Sequence, residues 1–154
     1  MTRIPILVCG NTFRGDDGVA WEIGAAIAGQ KWSELVDVIY TTQLLPEHAE
    51  LLHNAELAIF VDCSAIEEPG AVSEIHLEAA AELPSLFTHH LRPESLLALS
   101  RHLYGSMPRE SIAITVGGER FDTGEKLSER VAAAIPCAVM MIGIAVEECC
   151  LALQ

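Results

Sequence analysis

The feature that most constrains this chain is a set of short, wholly apolar runs that stop abruptly at glycine or aspartate. Ile4–Cys9 reads Ile, Pro, Ile, Leu, Val, Cys and is followed by Gly10. Residues 57–61 read Leu, Ala, Ile, Phe, Val and meet Asp62. Neither run alternates with polar residues, so each is a strand shielded from water on both faces. Only a sheet with layers on both sides provides that shielding. Such sheets are mostly parallel, because the crossovers that cover them are helices. Val36–Thr41, Val72–His76 and residues 111–116 read as further strands.

The segments between the strands carry helical patterning. Val19, Ile23 and Ile27 form one stripe in a helix over residues 17–29, with Gly29 at its end. Residues 46–54 form a short helix with Pro46 in its first turn. Pro93–Tyr104 carries Leu96, Leu97, Leu99 and Leu103 and stops at Gly105. A closing helix covers about 128–153, opening on Ser128 as cap and Glu129. Pro136 inside it predicts a kink or a late start. Residues 79–88 read as a loop because Pro84 breaks any helical pattern. No repeat, low-complexity stretch or linker interrupts the order, so the expectation is one α/β domain over residues 1–154: three layers, with helices on both faces of a mostly parallel sheet.

Charge and cysteine usage narrow the partners. The chain has 154 residues, with 9 Lys and Arg against 22 Asp and Glu, for a formal net charge of −13. That surface repels phosphate backbones and anionic lipid, so neither nucleic acid nor a membrane is expected as a partner. It suits a basic partner or serves solubility. The start of the chain enters a strand at once and leaves no room for a signal peptide. The late apolar run, residues 137–146, ends at Glu147 and Glu148, short of the roughly 20 residues a membrane span needs. Cys9, Cys63, Cys137, Cys149 and Cys150 form an odd set without CxxC spacing, which favours buried, reduced thiols and a cytoplasmic location.

In a parallel sheet, ligands gather outside the carboxyl ends of the strands. Those ends deliver residues 10–17, Asp62 and residues 117–124. The first cluster holds Gly10, Asn11, Gly15, Asp16, Asp17 and Gly18. It lacks the GxGxxG spacing of a dinucleotide loop, and two acids at the helix start would repel a phosphate there. Asp residues at that place serve as caps or as a cation site. Asp62 at the mouth of a buried strand is costly unless paired, hydrogen-bonded or bound to a cation. Thr88, His89 and His90 precede the helix at Pro93, and imidazole is the usual ligand for nickel and zinc. His48, His53, His76 and His102 read as surface residues. Ser64 and Ser73 lie in no GxSxG elbow, and no cysteine has a histidine partner in a motif. Two carboxylates and one imidazole make an incomplete shell for a divalent metal, with positions left for ligands from elsewhere.

Taken in order, these segments resemble the hydrogenase maturation proteases. The likeness covers nearly the whole chain: an apolar strand, then Gly10 and Asn11, a short spacer and Asp16, Asp17 and Gly18; Gln43, Leu44, Leu45, Pro46 and Glu47; Phe60, Val61 and Asp62; Thr88 and His89 followed by Leu96 and Leu97; and a late stretch from Gly118 through Phe121, Gly124 and Leu127 to Ser128. Ala20 stands where that family often has glycine, and Cys63 where it commonly has alanine.

The resemblance implies a twisted, mostly parallel sheet of about five strands between helices. It implies an endopeptidase that removes the C-terminal extension of a nickel-loaded [NiFe]-hydrogenase large-subunit precursor. Asp17, Asp62 and His89 map onto the positions that contact the metal and act in catalysis, with Asp16 in a neighbouring supporting position. His89 is preferred to His90 for its distance to Leu96 and Leu97. The nickel arrives with the substrate, and no tightly bound metal of the chain's own is expected. Two other classes use the same residues: a noncatalytic nickel chaperone for hydrogenase, and a different peptidase or amidase on a related fold. A flavodoxin-like nucleotide module fits least, because Asp16 and Asp17 occupy the phosphate position.

Overall fold

The wholly apolar runs sit side by side in the middle of a five-stranded sheet. The computed structural model describes residues 2–85 and 91–154. Its strands are β1 (Ile4–Cys9), β2 (Val36–Thr41), β3 (Leu57–Ser64), β4 (Val72–His76) and β5 (Glu110–Gly117). Its helices are α1 (Val19–Ile27), α2 (Pro93–Tyr104) and α3 (Glu129–Ala152). The strand order is β2-β1-β3-β5-β4, parallel throughout except where β4 runs antiparallel along β5. The α/β sheet expected from the sequence is the one observed.

Strand periodicity divides the core in two. Ile6 and Val8 of β1, with Ile59 and Val61 of β3, face α1 and α3. Leu7, Ala58 and Phe60 face the other way, toward α2. Among the described residues the first cluster holds twenty-one buried residues and the second nine, so the α2 face is the thinner layer. Val19, Ile23 and Ile27 are buried along α1 as their spacing predicts. Leu96 and Leu97 anchor α2 at 0% exposure, whereas Leu103 lies outside the stripe at 56%.

Several local expectations are corrected. β3 does not stop at Val61: three more pairs with β5, Asp62 with Thr115, Cys63 with Val116 and Ser64 with Gly117, extend it to Ser64. The helix expected over 46–54 is a tight 3-10 turn, Pro46–Leu51. Pro136 causes no late start, because α3 already begins at Glu129. Proline falls at the start of the third turn, where the loss of one amide hydrogen bond is offset by burial of Val131, Ala134, Ala138, Ile142 and Val146. At 24 residues α3 also exceeds its short apolar run and is, by length and composition alone, long and apolar enough to cross a membrane. Here that buried stripe lies in the core cluster it shares with α1 and the sheet. The cysteines are free, but none is fully buried: Cys137 is exposed and the other four are half-buried. Cys9 and Cys63 lie at strand ends and Cys149 and Cys150 in the last turns of α3, places where the core thins out.

Candidate active site at the carboxyl ends of β1 and β3

The strand order reverses direction about β1 and β3, and a crevice opens at such a switch point. Asp17 reaches it from the loop after β1. The chain turns at Gly10, where an added Cβ would stand 2.0 Å from the carbonyl oxygen of Asp17, so only glycine lets the loop close on itself. Asn11 accepts the Phe13 N–H on Oδ1 at 2.9 Å, and its carbonyl accepts the Arg14 N–H at 3.1 Å. Gly15 then takes a left-handed φ of 54°. The expected helix start at residue 17 is therefore a separate 3-10 turn, Gly15–Gly18, from which α1 continues at Val19. Within it, Asp17 Oδ2 accepts the Asn11 N–H at 2.8 Å, which fixes the carboxylate over the end of β1.

Asp16, its neighbour, points away from that crevice chemically as well as spatially. It is 0% exposed and accepts four hydrogen bonds from a segment more than one hundred residues later. Oδ2 takes the Glu119 and Arg120 N–H groups at 2.8 Å each and the Ser128 hydroxyl at 2.7 Å; Oδ1 takes the Ser128 N–H at 2.7 Å. Burial alone would raise its pKa, but these donors outweigh burial and hold the carboxyl below the ordinary 3.8. Neither acid caps α1, and Ser128, although at the N-cap position of α3, spends its hydroxyl on Asp16 instead of capping the helix. Asp16 ties the first loop to residues 117–128; the Gly124 N–H donating to Phe13 O at 2.9 Å adds a second tie.

Asp62 is the opposite case. On β3 it follows Phe60 on the α2 face, and only Oδ1 has a partner among the described residues, the Cys63 N–H at 2.7 Å. By surface area its side chain is exposed, yet the carboxylate stands among protein groups at a cavity it lines with Cys9, Leu44, Arg92 and Thr115. Burial and then the nearby Asp17 charge push its pKa up to about 6, against the Cys63 hydrogen bond. Neither Asp17 nor Asp62 takes part in an ion pair among the described residues. Two acids thus share one crevice without an ion-pair partner, although Arg92 lines the same cavity as Asp62. That pattern favours a divalent cation or a proton.

Two thiols flank the carboxylates. Cys9 follows Leu7 on the α2 face of β1, beside Asp62, and its Sγ donates to Thr42 O at 3.5 Å. Cys63 projects on the opposite face. Burial first, then the charges of Asp62 and Asp17, push each thiol up to about 12, so both are protonated and neither is a nucleophile at neutral pH. The placement of Cys9 was readable from strand periodicity, since it shares parity with Leu7; the sequence reading singled out only Cys63.

His89 and His90 lie outside the described residues. Of the other histidines, His102 and His76 are exposed. His48 is half-buried and uses Nδ1 to accept the Leu45 N–H at 2.9 Å, and His53 stacks on Tyr104. Among the described residues no three His, Cys, Asp or Glu side chains converge on a point that could hold a metal. The structure brings Asp17 and Asp62 together and supplies two donors.

Solved structures with this architecture decide what it is called. The hydrogenase maturating endopeptidase HybD from E. coli superposes with a TM-score of 0.74 at 22% identity, over 96% of this chain and 93% of its own. The hydrogenase 2 maturation peptidase of a Thaumarchaeota archaeon gives 0.70 at 25% identity, over 95% and 99%. The [NiFe] hydrogenase maturation protease HybD of Thermococcus kodakarensis gives 0.66 at 22% identity, over 94% and 99%. The fold is that of the hydrogenase maturation endopeptidases. No family model matches the chain, and no curated protein matches it in sequence. The coverage is nearly complete in both directions, so the hydrogenase maturation endopeptidase fold accounts for nearly all of the chain.

Proposed function

We propose that this protein is a cytoplasmic endopeptidase that removes the C-terminal extension of a nickel-loaded [NiFe]-hydrogenase large-subunit precursor. The observation that carries the proposal is the pairing of Asp17 and Asp62 across the switch point of a hydrogenase maturation endopeptidase fold, with Asp62 raised to about 6 by burial and by the charge of Asp17. Carboxylates suit a divalent cation, and His89 adds an imidazole to the set. Three such donors leave coordination positions open, which fits a nickel ion that the precursor brings with its own ligands. Nickel here is part of the substrate and selects the bond to be cut.

The chemistry follows from holding that bond in place. Docking the precursor's nickel on Asp17, Asp62 and His89 turns the attack of water on one peptide carbonyl into an oriented event. Asp62 has Oδ1 occupied by the Cys63 N–H, which leaves Oδ2 without a hydrogen-bond partner among the described residues. In the free chain burial and the Asp17 charge hold that carboxyl at about 6, so at neutral pH it is ionised and ready to receive the cation. With nickel docked, its remaining oxygen can accept a proton from the attacking water. The aspartates thus serve in recognition and in an aspartate-type hydrolysis.

Mass spectrometry of a nickel-loaded precursor, beside a nickel-free control, tests this. Loss of a short C-terminal peptide only with nickel, abolished by Asp62→Asn, is the expected result. A precursor that binds but stays intact would make the protein a nickel chaperone. Cleavage at an unchanged rate by Asp62→Asn would remove Asp62 from the site.

A further inference from the structure

The crevice continues into a cavity of about 340 Å³ on the α2 face of the sheet, apolar along its floor and lined also by Asp62, Thr115, Arg92 and Glu94. Its floor is one cross-strand row: Leu7 of β1 pairs with Phe60 of β3, Phe60 with Ala113 of β5, and Ala113 with Ile75 of β4. The next row along β3 and β5, toward the strands' carboxyl ends, holds Asp62 opposite Thr115. Side chains two residues apart on a strand share a face and are separated by roughly 7 Å. Three members of the floor row are large; Ala113 is the small one, and its missing atoms give the cavity its depth. Leu44 closes one wall.

We propose that this cavity seats one apolar side chain of the peptide being cut, within two residues of the scissile bond, and that Ala113 sets the size it accepts. The inference rests on the endopeptidase reading and adds a substrate class to it. An extended peptide whose carbonyl lies at Asp62 covers roughly 7 Å in two residues, which matches the spacing between Asp62 and the floor row. Cavities of ~300–1,000 Å³ with apolar walls and a few polar groups at one end are the usual form of a small ligand site. On the floor row an acidic side chain would lie among Leu7, Phe60, Ala113 and Ile75 and lose its hydration, so apolar side chains are favoured over acids there. A second cavity of about 450 Å³ between α1 and α3 involves neither aspartate and includes a single acid, Glu147, so it has no comparable link to the chemistry.

The test uses nickel-loaded precursors in which each residue within two positions of the cut is changed in turn to Ala, Leu, Phe or Asp. They are assayed with the wild-type chain, with Ala113→Leu, which fills the floor, and with Ile75→Ala, which widens it. Ile75 is 49% exposed, so that variant keeps the core intact. At one position the wild type is expected to prefer Leu to Asp by at least about 10-fold in kcat/KM. Ala113→Leu should shift the Ala-to-Phe ratio at that position toward Ala by at least about 10-fold, and Ile75→Ala should shift it toward Phe. Active variants with unchanged ratios at every position overturn the cavity assignment and leave the protease reading standing. Failure of the wild type to cut any nickel-loaded precursor overturns both.

Discussion

Asp16, in the turn that follows β1, and Asp62, inside the last residues of neighbouring β3, have the same side chain and live under opposite rules. Asp16 is sealed from water and satisfied by four donors, and its proton is held less tightly than usual. Asp62 has one donor, a carboxylate for a neighbour and a proton held more tightly than usual. The difference separates an acid that holds the fold together from one that the fold holds at a cost. Charge alone would not distinguish them; the count of hydrogen-bond donors does.

The largest expected effect is on catalysis. Asp62→Asn and Asp17→Asn should each lower cleavage of nickel-loaded precursor by at least about 100-fold, since even outer-shell partners of a metal contribute 10–100-fold. Asp62→Asn should leave the melting temperature unchanged or higher at pH 8, because it removes a charge the fold disfavours. A large fall in stability would erase the contrast with Asp16.

Asp16→Ala should do the reverse. It strands the Glu119, Arg120 and Ser128 N–H groups and should cost about 2–4 kcal/mol, read as a lower urea midpoint. Ser128→Ala removes one hydroxyl donor to the same carboxylate and should cost about 1 kcal/mol. If Asp16→Ala unfolds no more easily than Ser128→Ala, the four bonds do not act together.

The smallest effects are those of pH. Asp62 has a folded pKa of about 6 against an ordinary 3.8, so its stabilising proton is present at low pH and lost as pH rises through 6. The melting-temperature gain of Asp62→Asn over the wild type should therefore grow between pH 4 and 7. Asp16, with a lowered pKa, stabilises fully above 3.8 and ceases to do so as pH falls through its folded value. In kcat/KM, which reports the free enzyme, cleavage should rise with pH through about 6 as Asp62 loses its proton and becomes able to receive nickel. A flat profile from pH 5 to 8 would argue that Asp62 does not act in its charged form.

Much of this was legible in the residues. Unbroken apolar runs placed β1 and the core of β3, because burial on both faces leaves no polar position to misread. The pairing of Asp17 with Asp62 followed from parallel strands sharing one carboxyl edge. The role of Asp16 was not legible, since its partners lie 103 to 112 residues away and no local pattern records them. The end of β3 was misplaced because Asp62 looks like a terminator, whereas pairing with Thr115 carries the strand past it. The 3-10 turn before α1 depends on the left-handed Gly15, whose conformation apolar spacing does not encode.

The tie between Asp16 and Ser128 also imposes an order on synthesis. Asp17 leaves the ribosome early, but the donors that anchor the adjoining Asp16 come from Glu119, Arg120 and Ser128. Chains emerge from the N-terminus at about 5–20 residues per second, so roughly 110 residues take on the order of 5–20 seconds. For that interval Asp16 lacks all four of its donors, and the first loop is held only by its own local bonds. The placement of Asp17 against Asp62 in its final geometry is therefore completed only when residues 119–128 have been made.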